Sequence, residues 1–274
     1  MRAKPEAVET VIPSFIRGAL KSIHPSWLPA IIEGLTAMFI ADPEYFPNLK
    51  DGQFLPSADR LFSAFSLPLD QVKYVLLGEG PYPREESANG YCFMDAAVNN
   101  LWSTEVNGGL SKKVNRASSL RNFIKMLLVS DGCLDLNHTT GDAIAHVSSL
   151  ARQENSGFIQ TLPELQNNMI AHGFLLLNAS LVFRSDVAPM RDARAWQVFL
   201  QSIFSALHAY QNASNGNAVS LVLWGKIAEQ LKHIPATNSF PHIIAEHPYN
   251  LSFIANTAMH NFFAPMKLLM TQDE

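Results

Sequence analysis

Four short apolar runs constrain this chain more than any other feature: VKYVLL (72–77), FLLLN (174–178), VSLVLW (219–224) and HIIAE (242–246). None alternates cleanly between apolar and polar residues, so each reads as a strand covered on both faces. Between the runs the period becomes helical. In 119–129, Leu120, Phe123, Ile124 and Leu127 share one stripe. In 193–210, Trp196, Phe199, Leu200, Ile203 and Leu207 recur at three- and four-residue steps, and 226–233 and 258–269 repeat the pattern. Strands alternating with helices imply right-handed crossovers and a parallel sheet, so the expected class is α/β.

Each run also ends in a polar marker. Gly78-Glu79-Gly80 follows the first and Asn178 ends the second; Gly225-Lys226 follows the third and Glu246-His247-Pro248 closes the fourth. Ligands of open α/β sheets bind at the carboxyl ends of the strands. A helix cap explains Asn178 alone, and solvated surface explains Glu79 or His247 alone. Four markers at matching positions predict a shared site.

The bulk numbers bound the partners. With 274 residues, 47% of them hydrophobic, the chain can bury one large core or two modest ones. A net charge of −4 argues against non-specific coating of nucleic acid, but not against a local basic face. Lys112, Lys113, Arg116, Arg121 and Lys125 follow one another with no acid between them, for which a solvated helix surface is the simplest account. The only cysteines, Cys92 and Cys133, form no CxxC and no zinc spacing, consistent with reduced thiols in an intracellular protein. MRAKPEAVETVIP lacks an apolar signal core, and LPAIIEGLTAMFIA, interrupted by Glu33, is too short to span a bilayer. The expectation is a soluble, cytoplasmic monomer with no membrane partner, no metal and no organic cofactor.

The same segments, in the same order, resemble the uracil-DNA glycosylases that carry the motifs GQDPYH and HPSPLS. FLPSADRLFSAFSLPLDQVKYVLLGEGPYP (54–83) looks like that family's approach to its first strand and turn. GYCF (90–93) is similar to its base-stacking segment, and SSLRNF (118–123) to its PSLxN helix start. NNMIAHGFLLLNASLVFR (167–184) is similar to LLLNxxLxxR, LVLWGKIAEQL (221–231) to LLWGxxAQ, and EHPYNLSF (246–253) to HPSPLS. The likeness covers roughly residues 50–270. It implies a single three-layer α/β/α domain around a four-stranded parallel sheet over 51–274. Against the family pattern the chain carries insertions near 97–116 and 134–157, and residues 1–50, which hold no family motif, are expected to form a helical extension packed on the same domain.

The resemblance also implies an enzyme that draws one nucleotide out of DNA and hydrolyses its N-glycosidic bond, because the reacting atom is inaccessible inside a stacked duplex. Carried over by position, Phe93 would stack on the flipped base, Asn178 would bond its edge, and Gly80 and Tyr82 would border it, Tyr82 beside the 5-position. His247 would stabilise charge on the departing base, and Leu251 would wedge into the vacated stack. Ser119, Lys226 and Ser252 fall where the family's loops grip phosphates, with Tyr249 and Asn250 in the same DNA-facing segment.

The chain departs from the pattern at the turn. The family's Asp, which orients or activates the attacking water, is replaced by Gly80, its Gln by Glu79 and its final His by Pro83. Glu79 is the carboxylate nearest the lost one, and the more distant GEAPG turns of the superfamily resemble this arrangement; Glu85 and Glu86 read as solvated. Tyr249 and Asn250 also replace Ser and Pro of HPSPLS. Three functions are therefore expected: excision of a modified pyrimidine such as a hydroxymethylated or glucosylated cytosine of phage DNA, in a defence role; conventional uracil removal in base-excision repair; or a catalytically inactive module that binds DNA or protein.

Overall fold

A computed structural model describes residues 12–105, 108–214 and 218–272. Most of the N-terminal stretch read above for a signal core, and two residues of the 97–116 insertion, lie outside the described residues. The strands form where the apolar runs predict: β1 Tyr74–Gly78, β2 Phe174–Asn178, β3 Ser220–Trp224 and β4 His242–Ala245, in the order β2-β1-β3-β4. Both β2 and β3 pair in parallel with β1, with Gly78 opposite Asn178 and Leu77 opposite Leu223. The order reverses beside β1, the position where open α/β sheets form their ligand crevice.

The helices are α1 Leu28–Ala41, α2 Tyr45–Asp51, α3 Lys112–Arg116, α4 Ser118–Ser130, α5 Asp142–Ala151, α6 Leu162–Ala171, α7 Pro189–Ser214, α8 Ile227–Gln230 and α9 Thr257–Phe263. Two are shorter than their patterns suggest. Over 226–233 the α-helix gives way to a 3-10 turn at Leu231–His233, since Ile234 precedes Pro235 and is driven out of the helical region. Over 258–269 the helix stops at Phe263, because Pro265 offers no N–H to the next turn. The run around Glu33 is the surface helix α1, and no described helix is long and apolar enough to cross a membrane.

The described chain divides into two compact units. The first comprises the described residues of Met1–Asp95, Gly173–Leu223 and Ile227–Ile243. Its core is an aromatic cluster in which Trp27, Phe62, Phe65, Trp196 and Phe199 pack at centroid distances of 5.2 to 6.3 Å, mostly edge to face. Trp27 also donates its indole N–H to the Leu67 carbonyl at 2.7 Å. Close packing of α1 on α7 needs Gly34, where a Cβ would meet Phe199 Cδ2 at 2.6 Å.

The second unit comprises the described residues of Ala96–His172, Trp224–Lys226 and Ile244–Glu274. Phe123 of α4 packs within 5.3 to 5.4 Å of Trp224 and Phe263, and Phe253 sits 5.4 Å from Trp224. A capping box starts α6: Thr161 accepts from Glu164 N, and the Glu164 carboxylate accepts from the backbone N–H groups of Thr161 and Gln160.

Candidate active site

In the first unit, β1 and β2 end side by side and their loops continue the ladder. Gly78 O accepts from Ala179 N at 2.8 Å and Glu79 O from Ser180 N at 3.2 Å. Gly78 has no room for a side chain: a Cβ there would lie 2.8 Å from both Asn178 Oδ1 and Cys92 Cβ. That glycine lets the Asn178 amide lie flat against the β1 end. Asn178 is 3% exposed, and its buried Oδ1 has no hydrogen-bond partner among the described residues. An unpaired buried acceptor costs about 1–3 kcal/mol, so this atom is one that a ligand donor would satisfy.

Cys92 and Phe93 complete this corner. The Cys92 thiol donates to Leu76 O at 3.1 Å and its N–H to Leu176 O, tying the segment to both strands. Burial pushes that thiol well above the usual range. Met94 N donates to Cys92 O at 2.8 Å across Phe93, whose φ of 64° makes it the centre of a tight turn in the left-handed region. A non-glycine residue held so stores about 1–3 kcal/mol of strain, a cost found where a side chain must be displayed. Tyr82 donates its hydroxyl to Phe93 O at 3.1 Å. Burial, reinforced by the Asp95 carboxylate and by Cys92, raises the Tyr82 phenol above its ordinary value, so it stays a neutral donor at physiological pH. Asp95 is itself paired with Arg84 at 3.2 Å.

Glu79 and Gly80 face a different setting. With Ser180, Arg184, Met190 and Asp192 they line a cavity of about 270 Å3 that Tyr82, Phe93 and Asn178 do not share. At its wall the buried Arg184 donates through Nε and Nη2 to Asp192, and Tyr45 of α2 donates its hydroxyl to the same carboxylate at 2.8 Å. Burial works against the Arg184 charge, and Asp192 more than restores it. Glu79 is exposed, and its side chain makes no hydrogen bond or ion pair with a described residue. At Gly80, by contrast with Gly78, an added Cβ would meet only Ser180 O and Cβ, at 3.8 and 3.9 Å.

The second unit holds His247, Lys226, Ser119 and the 249–252 segment. Gly225, at φ 72°, lets the turn after β3 pass directly under the imidazole: a Cβ there would lie 2.9 Å from His247 Cβ. His247 Nδ1 accepts from Tyr249 N at 3.1 Å, which places the proton of the neutral ring on Nε2. Asn250 N donates to His247 O, closing the turn. Glu246 accepts from Asn256 Nδ2 at 2.7 Å, joining the two ends of the loop, and Asn256 caps α9. Lys226, Tyr249, Asn250, Leu251 and Ser252 are exposed, while Ser119 is half-buried in the first turn of α4.

Sequence reasoning missed Cys92, Ser180, Asp192 and Asn122. Only Cys92 carried a usable signal, its place beside the aromatic Phe93; the others are defined by contacts with chain 8 to 147 residues away. Among the described residues, no group of three His, Cys, Asp or Glu could hold a metal ion.

The chain is 34% identical to the wild-type UNG of Nitratifractor salsuginis, whose crystal structure it matches over 99% of this chain and 100% of that one with a TM-score of 0.82. The uracil-DNA glycosylase of Wolinella succinogenes is 28% identical over 258 residues, 92% of each chain. That of Streptococcus mutans serotype c is 26% identical over 234 residues, 84% of this chain and 85% of its own. No family model matches. The parallel sheet, the glycine-seated amide at the end of β2 and a relative above 30% identity along its whole length agree, and the chain belongs to the uracil-DNA glycosylase superfamily of DNA N-glycosylases.

Proposed function

We propose that this protein removes uracil from DNA, hydrolysing the bond between N1 of the base and C1′ of the sugar. The observation that carries the proposal is the unpaired, buried Oδ1 of Asn178, seated with Cys92 against Gly78, while the neighbouring Phe93 accepts from Tyr82. In the reaction the target nucleotide leaves the stack and its ring lies on Phe93. The Asn178 amide pairs with the base edge, its Oδ1 accepting from a ring N–H. The glycosidic electron pair departs onto the base through an oxocarbenium-like sugar. His247, with its proton on Nε2, donates a hydrogen bond to the base oxygen on which that charge gathers. Water then adds to C1′, and its proton is assigned to Glu79, the carboxylate next in sequence to Gly80, which has no side chain to take it. Exposed Lys226 and Ser252 and half-buried Ser119 are assigned to phosphates, and Leu251 to the space the nucleotide vacates. Proposed this way, the protein acts alone on DNA and requires no cofactor.

The pinned Tyr82 favours uracil over a cytosine enlarged at the 5-position. Admitting such a base needs the ring to swing away, breaking the hydroxyl bond to Phe93 O and uncovering a largely buried phenol. The unpaired Oδ1 also favours a pocket that takes up a base over a module that binds only protein, for which a buried orphan acceptor is only a cost.

A substrate panel tests this. Oligonucleotides bearing uracil, hydroxymethylcytosine or glucosylated hydroxymethylcytosine are incubated with the protein and abasic sites are cleaved with alkali. Strand cutting at uracil alone is expected, with His247→Ala slower by about 10²–10³-fold. Cutting only at a modified cytosine overturns the base assignment, and no cutting of any substrate favours the inactive module.

A further inference from the structure

We propose that Asn122 is a positioning residue that holds the 248–250 backbone rigid, so that Tyr249 and Leu251 enter DNA as a fixed pair. This rests on the proposed action on DNA. Asn122 lies in α4 and is fully buried. Its Nδ2 reaches three successive carbonyls, Pro248 O at 2.8 Å, Tyr249 O at 3.2 Å and Asn250 O at 3.4 Å. Three acceptors on one side fix which end of the amide is the donor. On the other side Oδ1 accepts from Arg121 Nε at 3.3 Å, and Arg121 Nη1 donates onward to Asn115 O at 3.0 Å. One side chain therefore ties the loop to α4 across more than a hundred residues of sequence.

What the loop presents explains the need for the clamp. Pro248 and Phe253 point inward, but Tyr249 is 69% and Leu251 70% exposed. Two large apolar side chains two residues apart in water are costly, and an unrestrained loop would fold them back. Parting a base step costs a few kcal/mol, and a wedge that yields under that load transmits none of it. An aromatic ring can stack on an exposed base while an aliphatic chain fills the gap beside it. We assign Tyr249 the stacking part and Leu251 the filling part, with Asn122 keeping their spacing.

The test compares uracil in a duplex with the same uracil in a single strand, where no paired stack must be opened. Asn122→Leu keeps volume and burial but removes the donors. It is expected to lower kcat/KM on the duplex by about 10²-fold, as misplacement remote from the chemistry can. The single-strand loss should be about tenfold smaller, since a base outside a duplex costs less to extrude. Arg121→Met, a half-buried site that should leave folding intact, is expected to show the same duplex-selective loss to a lesser degree. Equal losses on both substrates, or none, in a variant that melts like the parent overturn the proposal. Should Asn122→Leu fail to fold, the outcome with Arg121→Met decides. Fluorescence of 2-aminopurine next to the target reports base opening without bond cleavage. If the parent opens the duplex but releases no uracil, the proposed reaction fails, while loss of the fluorescence rise in the variants still supports the clamp and its persistence still overturns it.

Discussion

The corner proposed to read the base and the loop of His247 are assigned different parts of the proposed reaction and are built in opposite ways. Asn178, Phe93 and Tyr82 hang on strand ends and are held by buried contacts: a strand-to-strand ladder, a thiol bonded to Leu76 O, and a phenol bonded to Phe93 O. His247, Tyr249 and Leu251 are exposed on a loop whose shape comes from backbone turns and two side-chain ties, Asn122 and Glu246–Asn256. A group that must discriminate between bases profits from rigidity, because a misfit can then not be relieved by movement. Groups that must enter a stack have to start exposed, and their precision comes from a clamp behind them. The difference predicts that equal steric insults have unequal consequences.

Gly78→Ala is the harshest test. Its Cβ would stand 2.8 Å from Asn178 Oδ1 and from Cys92 Cβ, two atoms anchored by strands, so the amide must leave its place. Uracil excision should fall by about 10³-fold, at the upper end for a lost preorganised contact, together with a loss of stability read in a thermal melt. Gly225→Ala makes a comparable clash, 2.9 Å from His247 Cβ, with the added cost of an alanine at φ 72°. Because His247 is exposed and can move toward solvent while Asn122 still holds 248–250, its cost should be about 10-fold to 10²-fold in kcat. If Gly225→Ala proves the more damaging of the two, the contrast between a buried corner and an exposed imidazole is wrong.

How these regions are built also decides what was readable in the sequence. All four apolar runs lie within about two residues of a strand, but only β1, β2 and β3 are covered on both faces as expected; β4, at the sheet edge, leaves His242 and Ile244 exposed. The residues at their carboxyl ends followed, because sheet topology sends every parallel strand's end to one edge. Asn122 could be assigned to a helix but not to a task, since its partners lie at 248–250 and only folding reveals them. The orphan state of Asn178 Oδ1 was likewise invisible, being a property of what does not surround it. Helix ends at 230 and 263 were overrun because an amphipathic stripe continues through a 3-10 turn with little change of period.

The mildest change expected sharpens the same contrast within a single turn. Gly80 follows Gly78 by two residues, yet an added Cβ would touch only Ser180, at ordinary van der Waals distances of 3.8 and 3.9 Å. Gly80→Asp should therefore fold like the parent and place a carboxylate where the resembling GQDPYH motif has one. If Glu79 already takes the water's proton, a second carboxylate adds little, and kcat on uracil should rise by no more than about tenfold, well inside the 10²–10⁴ available to a general base. The informative comparison is Glu79→Gln in both backgrounds. It should cost most of that factor in the parent and almost nothing beside Asp at position 80. A parent indifferent to Glu79→Gln removes Glu79 from the chemistry, and a Gly80→Asp gain approaching 10³ would show that the natural turn works without any base at all.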